Sequence, residues 1–243
     1  MTKKDLISSM AEGTLAKQES KQARYVVRPV DHSLADDFLQ RHHYLAQQGN
    51  GFLAKYVYGL FTKDNRFVGV VTFSGISVVE TLIGAFEGFT RESDQSGFFE
   101  LSRLAMDDDN KEKNLTSWFV ARAIKQLRKD TNVRALISYA DSKYHNGYIY
   151  QATNFKYYGK TAKKTDFFAL SNGDYKQVWR GAVKNLEGEW RERTRKHRYM
   201  IVFDKELKIL WKEEPYPKGT NDEYKLQEPS TWQSNIFDFI AAK

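Results

Sequence analysis

The sequence of 243 residues contains no cysteine. Disulfides, thiolate metal sites and a cysteine nucleophile are thereby excluded. Proline is scarce, with four residues, which leaves little material for long rigid linkers. No apolar run approaches the ~18 residues that a membrane-spanning helix needs. The charged N-terminus lacks an apolar segment and is not expected to act as a secretory signal. No internal repeat and no low-complexity segment stands out.

Aromatic residues are abundant, 14 Tyr and five Trp among them, and such side chains serve both packing and recognition. The formal net charge is +7, which suits nucleic acid, acidic cofactors or anionic lipid. The length fits one large domain with additions. The expected division is a flexible segment over 1–23, a catalytic domain over 24–215 with a basic part at 186–200, and a polar tail over 216–243. In that tail Trp232, Ile236 and Phe239 are expected to dock on the body.

Periodicity predicts a first strand over 24–30 and a helix over 31–44, capped by Asp31 or Ser33, with Leu34, Phe38 and Leu39 on one face. A hairpin follows over 56–61 and 67–74, with Phe86 and Phe89 in a loop or surface excursion after it. Strict alternation in the strand 98–106 puts Glu100, Ser102 and Leu104 on one face, and Leu101, Arg103 and Ala105 on the other. A helix over 115–129 and a strand over 133–139 complete a crossover unit whose two strands should be parallel. Further strands are expected over 155–158 and 167–170, and a second hairpin from 199–203 with 208–211. The fold class is α/β (α+β), a mixed, centrally parallel sheet flanked by helices.

The stretch 135–155 gathers the chemistry, because strand ends and helix starts are where α/β proteins place it. Asp141 at the strand end reads as a general base or orienting carboxylate, or else as the ion-pair partner of Arg103. Arg103 reads as that partner or as an anchor for phosphate or carboxylate. Tyr150 is a proton donor or a core tyrosine. Ser138 and Tyr44 orient substrate or stabilise an oxyanion, or bond nearby backbone. His145 is a proton shuttle or a loop residue. His43 sits at a helix C-terminus, where imidazole suits the dipole, or lines a pocket there. The run with Arg191, Arg193, Arg195, Lys196, His197 and Arg198, flanked by Trp190 and Tyr199, reads as a phosphate grip or a solvated charged segment.

His43-Tyr44, the strand Glu100-Leu101-Ser102-Arg103-Leu104, Asn114 with Ser117, Ser138-Tyr139-Ala140-Asp141, His145, and Gly147 through Phe155 together resemble the bacteriophage Mom-like DNA modification proteins. These are a divergent branch of the GNAT N-acyltransferase fold, and the resemblance covers roughly residues 35 to 200. It implies a transferase that modifies the exocyclic N6 amine of adenine in DNA, with a methylcarbamoyl or other acyl-type group, and so protects phage DNA from host restriction. It implies functional roles for His43, Tyr44, Arg103, Ser138, Asp141 and Tyr150. It further implies acetyl-CoA or another CoA-type donor along Leu104 and Met106, with its pyrophosphate at the helix start Asn114, Leu115, Thr116 and Ser117. Asp107, Asp108 and Asp109 precede that start, and their charge opposes a pyrophosphate there. Iron is a further cofactor the resemblance raises, with His43, Asp141 and His145 as the ligand set.

The expected partner is double-stranded or locally flipped DNA, since a paired adenine amine is inaccessible until the base leaves the stack. His145, Tyr148, Asn154 and the basic run are the candidate DNA contacts, and Phe86, Phe89 and Tyr148 the candidate stacking rings. The implied location is the cytoplasm of the infected bacterial host. Two other readings remain: an acyl-CoA-dependent N-acetyltransferase on a protein lysine, a small amine or an aminated base, and a non-catalytic DNA-binding protein of the same fold.

Overall fold

The computed structural model describes residues 20–43, 52–110, 112–171, 173–178 and 180–219. The elements run α1 (Lys21–Arg24), β1 (Tyr25–Pro29), α2 (His32–His42), β2 (Tyr56–Thr62), β3 (Phe67–Gly75), α3 (Glu80–Ala85) and β4 (Phe98–Met106). They continue with α4 (Leu115–Asp130), β5 (Ala135–Asp141), α5 (Tyr148–Gln151), β6 (Lys156–Lys160), β7 (Lys164–Ser171), β8 (Asp174–Val178), β9 (Gly188–Arg193) and β10 (Lys196–Val202).

Seven strands form one sheet in the order β1-β2-β3-β4-β5-β10-β6. Every neighbouring pair is antiparallel except β4 and β5, which are parallel as the crossover required. The mixed α/β sheet is therefore as expected, with its parallel part confined to one central pair. The expected second hairpin over 208–211 does not form. Instead β10 slots between β5 and β6, and Ile209 bridges back to Phe86. The expected continuation over 167–170 also leaves the main sheet: β7 is the centre of a separate three-stranded sheet, β8-β7-β9.

Alternation along the strands sends side chains into two cores. Phe99, Leu101, Leu136 and Tyr199 pack under α4, which buries Leu115, Phe119, Val120, Ala123, Ile124 and Leu127. Burial of each such side chain contributes about 1.5–3 kcal/mol. The opposite face, Phe98, Ala135, Ile137 and Met200, packs on Leu82 and Ala85 of α3. Helix α2 covers Val57, Val70 and Ala105 with Ala35, Phe38 and Leu39. Leu34 lies outside that face and is 40% exposed, because Ala35 takes the inward position one residue later.

One irregularity resets the pattern of β4. Arg103 pairs with Thr72 and Leu101 with Phe73, so Ser102 is a bulge residue. The Ser102 hydroxyl lies 2.9 Å from that of Thr72. An extra residue inverts the alternation beyond it. Leu101 and Leu104 therefore meet the same core, while Ala105 joins the other side of the sheet. This corrects the strict alternation read from the sequence.

Candidate active site

Strands β4 and β5 share three register pairs, the last being Glu100 with Ile137. Beyond it, among the described residues, they no longer pair, and the bulge at Ser102 starts where they part. One side chain spans the gap. The Ser138 hydroxyl, fully buried, donates to the Leu101 carbonyl at 2.8 Å. The Tyr150 hydroxyl lies beside Ser138, and burial raises its pKa. The Tyr150 ring packs edge-on against Phe155, with centroids 5.6 Å apart, and against Tyr199 at 5.2 Å. Ser138 and Tyr150 thus form the floor of the opening.

Polar groups gather around that floor. Arg103 donates through Nη1 to the Ser102 carbonyl at 2.8 Å, while its buried Nε has no partner among the described residues. Burial holds the His43 imidazole down at about 4, and the charges of Arg103 and His145 add to the effect. His145 is lowered too, by burial, with Asp141 opposing. Burial raises the Glu100 carboxyl, and Lys196 and Arg103 pull the other way. These shifts place His43, Arg103 and His145 within electrostatic reach across the opening.

Asp141 does not form the anticipated ion pair with Arg103. Its Oδ1 accepts from the Lys143 amide at 3.0 Å, and its Oδ2 from the Thr194 hydroxyl at 2.8 Å. The first contact is the side chain-to-backbone turn that aspartate makes readily. The second ties the end of β5 to the β9–β10 turn. The loop after Asp141 is held from below as well: the Tyr199 hydroxyl donates to the Asn146 carbonyl. Gly147 has a φ of +76°, and a Cβ there would lie 2.5 Å from the Tyr199 ring. That position demands glycine.

On the donor side, Asn114 precedes α4 with a φ of +60° and makes no side-chain cap. Its carbonyl accepts from the Ser117 hydroxyl at 3.1 Å and the Trp118 amide at 3.1 Å. Leu115 is buried in the core, and Thr116 follows it on the first turn. Asp107 is turned into its own loop, accepting from the Asp109 amide, and pairs with Arg66 at 3.6 Å. Leu104 and Met106 are partly buried against the α4 core, on the part of β4 that β5 has left.

The basic run is split by the fold. Arg193 forms a bidentate pair with Asp166, both contacts at 2.7 Å, and Arg191 pairs with Glu189 while lying over Phe168 and Tyr175. Both belong to the small sheet. Arg195 donates to the carbonyls of Thr161 and Lys160. Arg198, on β10, stacks 3.8 Å over Trp211 and donates to the Tyr158 carbonyl. Lys196 is exposed, with no carboxylate partner among the described residues. A single cationic stripe is therefore not what the run forms. Phe86 and Phe89 pack on Phe98, at the start of β4. That is about 20 Å of strand away from Asp141, so they belong to the core on the far side rather than to this opening. Tyr148, 65% exposed, stands at the start of α5, and Asn154 takes a φ of +66° in the turn after it. Tyr44, and the tail residues Trp232, Ile236 and Phe239, lie outside the described residues.

Two site groups escaped the sequence. Glu100 reads as an ordinary strand residue, yet its carboxyl is buried and feels the charges of Lys196 and Arg103. His197 reads as one more base in a cationic run, yet it is 2% exposed. Its only sequence signal is the alternation of β10, in which His197 and Tyr199 share the inward face.

Residues 24–218 match the model of the Mom protein family. The chain belongs to the Mom protein family. No curated protein matches it. Among solved structures this Mom-family chain is similar to a Bacillus subtilis acetyltransferase in complex with CoA, at 13% identity over 74% of this chain and 98% of that one, with a TM-score of 0.44. It is also similar to a GNAT family acetyltransferase from Elizabethkingia anophelis with acetyl-CoA bound, at 11% identity, 74% and 99% coverage, and a TM-score of 0.45. A third is the ribosomal-protein-S18-alanine N-acetyltransferase from Escherichia coli, at 11% identity, 73% and 93% coverage, and a TM-score of 0.43. The mixed sheet with one central parallel pair is the GNAT-like arrangement expected for the Mom branch. Iron does not fit what is described: no three His, Asp or Glu side chains converge to hold a metal ion among the described residues, so His43, Asp141 and His145 do not form the ligand set raised for it.

Proposed function

We propose that this Mom-family protein is a DNA modification transferase that places an acyl-type group, of the methylcarbamoyl kind, on N6 of adenine and shields phage DNA from host restriction. The observation that carries the reading is the opening between β4 and β5, floored by Ser138 and Tyr150 and rimmed by Arg103, His43, His145 and Asp141. In a chain of this family, such an opening is where an adenine amine and an acyl donor would meet.

A CoA-type donor fits the residues present. The edge of β4 from Leu101 to Met106 offers main-chain groups that β5 has released, and the first turn of α4 around Thr116 and Ser117 offers helix amides. Such a donor supplies an activated acyl carbon with a thiol as leaving group. Transfer forms the N6–C bond, breaks the C–S bond, moves one N6 proton to the protein and returns one to the thiolate.

An adenine amine is a weak nucleophile, because its lone pair is delocalised into the ring, so proton removal must accompany attack. His145, a neutral imidazole beside Asp141, is the acceptor. Asp141 orients the loop that carries it. The unpartnered Arg103 Nε donates toward the oxygen that gains charge on the acyl carbon. Ser138 and Tyr150 hold the floor and exclude water. Lys196 meets the phosphate backbone beside the flipped base.

Mass spectrometry of nucleosides from cells expressing the protein tests this. A new adenine species is expected with the native chain and lost in Asp141→Asn, with DNA binding retained. An unchanged nucleoside profile from soluble, folded protein sinks the reading.

A further inference from the structure

His197 lies on β10 opposite Ala140 of β5, on the face shared with Tyr199 and Tyr157. Its Nδ1 and the Tyr157 hydroxyl are 2.9 Å apart. The rings are tilted at 48°, with centroids 5.5 Å apart, so the imidazole is fixed in plane and direction. The other nitrogen, Nε2, is buried and has no partner among the described residues. An imidazole nitrogen left so is destabilising. A fold that keeps it does so where a second group completes the bond.

The surroundings say which group. His197 feels the charges of Lys160, His145, Arg195 and Asp141. In the tautomer in which Nδ1 accepts from the Tyr157 hydroxyl, Nε2 carries the proton, and the cations Lys160 and Arg195 offer it nothing. The Asp141 oxygens are turned to the Lys143 amide and the Thr194 hydroxyl, and neither is bonded to His197. His145 is left, on the loop laid over β10 by the Tyr199–Asn146 bond. Burial keeps both imidazoles neutral, His197 at about 4. Two neutral imidazoles are complementary, one ring nitrogen donating and the other accepting.

We propose that His197 is a positioning residue for His145: through Nε2 it fixes the tautomer and orientation of the His145 imidazole, bridged by one buried water or closed by a small shift of loop 142–147. The inference rests on the proposed function in making His145 the proton acceptor. Tyr157, His197 and His145 then form a line from the edge of the sheet into the opening. In it Tyr157 sets the His197 tautomer, and His197 presents the lone pair of His145 to the substrate side.

The test uses the two amide side chains that imitate half an imidazole each. His197→Asn keeps a polar atom near Nδ1, for Tyr157, and removes the one at Nε2. His197→Gln does the reverse. In protein carrying ¹⁵N-labelled histidine, long-range ¹H–¹⁵N spectra report the tautomer of every neutral imidazole. The native protein is expected to show His145 in a single tautomer. His197→Asn should give averaged His145 signals and at least a tenfold loss of adenine modification, and His197→Gln should restore both. Unaltered His145 signals in folded His197→Asn would overturn the proposal, as would equal loss in both variants. Should His197→Asn fail to fold, the reciprocal spectrum decides: in His145→Ala the His197 ring signals must move, and unmoved signals sink the idea. Coupled signals in a native protein that modifies no adenine would support the coupling and overturn only the proposed reaction.

Discussion

Ser138 and Leu101 are joined by a hydrogen bond, hydroxyl to carbonyl at 2.8 Å, at the first position where β4 and β5 have ceased to pair. A side chain replaces a ladder bond there. Removing it in Ser138→Ala leaves the Leu101 carbonyl short of its side-chain partner at a buried position. The expected cost is about 1–3 kcal/mol. Urea denaturation measures it, and a change below about 0.5 kcal/mol would contradict this role.

Gly147 supports the loop that carries His145. In Gly147→Ala the new methyl meets the Tyr199 ring, at a backbone angle that side chains disfavour. Destabilisation of more than about 1 kcal/mol is expected, with loss of modification out of proportion to the loss of folded protein. A variant with native stability and native activity would show that the loop tolerates displacement.

The end of the acidic loop, just ahead of α4, is pinned by Arg24 and Tyr25. Glu112 accepts from both terminal nitrogens of Arg24, at 2.7 and 2.8 Å, and from the Tyr25 hydroxyl. Those bonds hold its carboxyl down at about 2, with the Arg24 hydrogen bond the largest cause. A carboxyl depressed on folding stabilises above its unfolded pKa, near ~4.3. That contribution is lost as pH falls from there through about 2. The difference in urea midpoint between native protein and Glu112→Gln should be constant above pH ~5 and shrink toward pH ~2. A difference that holds steady over the whole range would count against the pairing.

The basic run should behave unevenly. Lys196 has no carboxylate partner among the described residues, whereas Arg193 is committed to Asp166. Lys196→Ala is expected to lower the slope of log affinity for DNA against log salt by about 1. Arg193→Ala should leave that slope nearly unchanged and loosen the small sheet instead. Titrations by fluorescence anisotropy at several salt concentrations separate the two, and equal slopes for both variants would refute the distinction.

The elements were legible where one period dominated. Strand 98–106, helix 115–129 and the parallel crossover between β4 and β5 follow from alternation, helical spacing and chain length. What escaped was non-local. The bulge at Ser102 is a decision of the Thr72 pairing, so no window of β4 alone contains it. The place of β10 between β5 and β6 depends on partners about 60 and 40 residues upstream, so its last residues looked like one arm of a local hairpin. The same error hid His197: a basic run read along the chain is a charged surface, but read across a strand it alternates between solvent and core. Ser138, Tyr150, Arg103, His43 and His145 were findable as residue types at strand and helix ends. Their actual partners were not, because Asp141 satisfied its carboxylate through Lys143 and the distant Thr194.

The position of β10 also sets a timetable for the chain. Among the described residues the only strand beside β6 in the main sheet is β10, and the three-stranded arm lies between them in the chain. While the chain emerges from the ribosome, β1 to β5 can assemble in order, but β6 must wait for residues 196–202. The loop over the opening waits with it, since Tyr199 is the hydroxyl that fastens Asn146. A nascent chain cut short before Lys196 would carry β4, β5 and most of the site residues and still lack the clasp that arranges them. The candidate site would become complete at one step, late in synthesis, when the tenth strand is inserted.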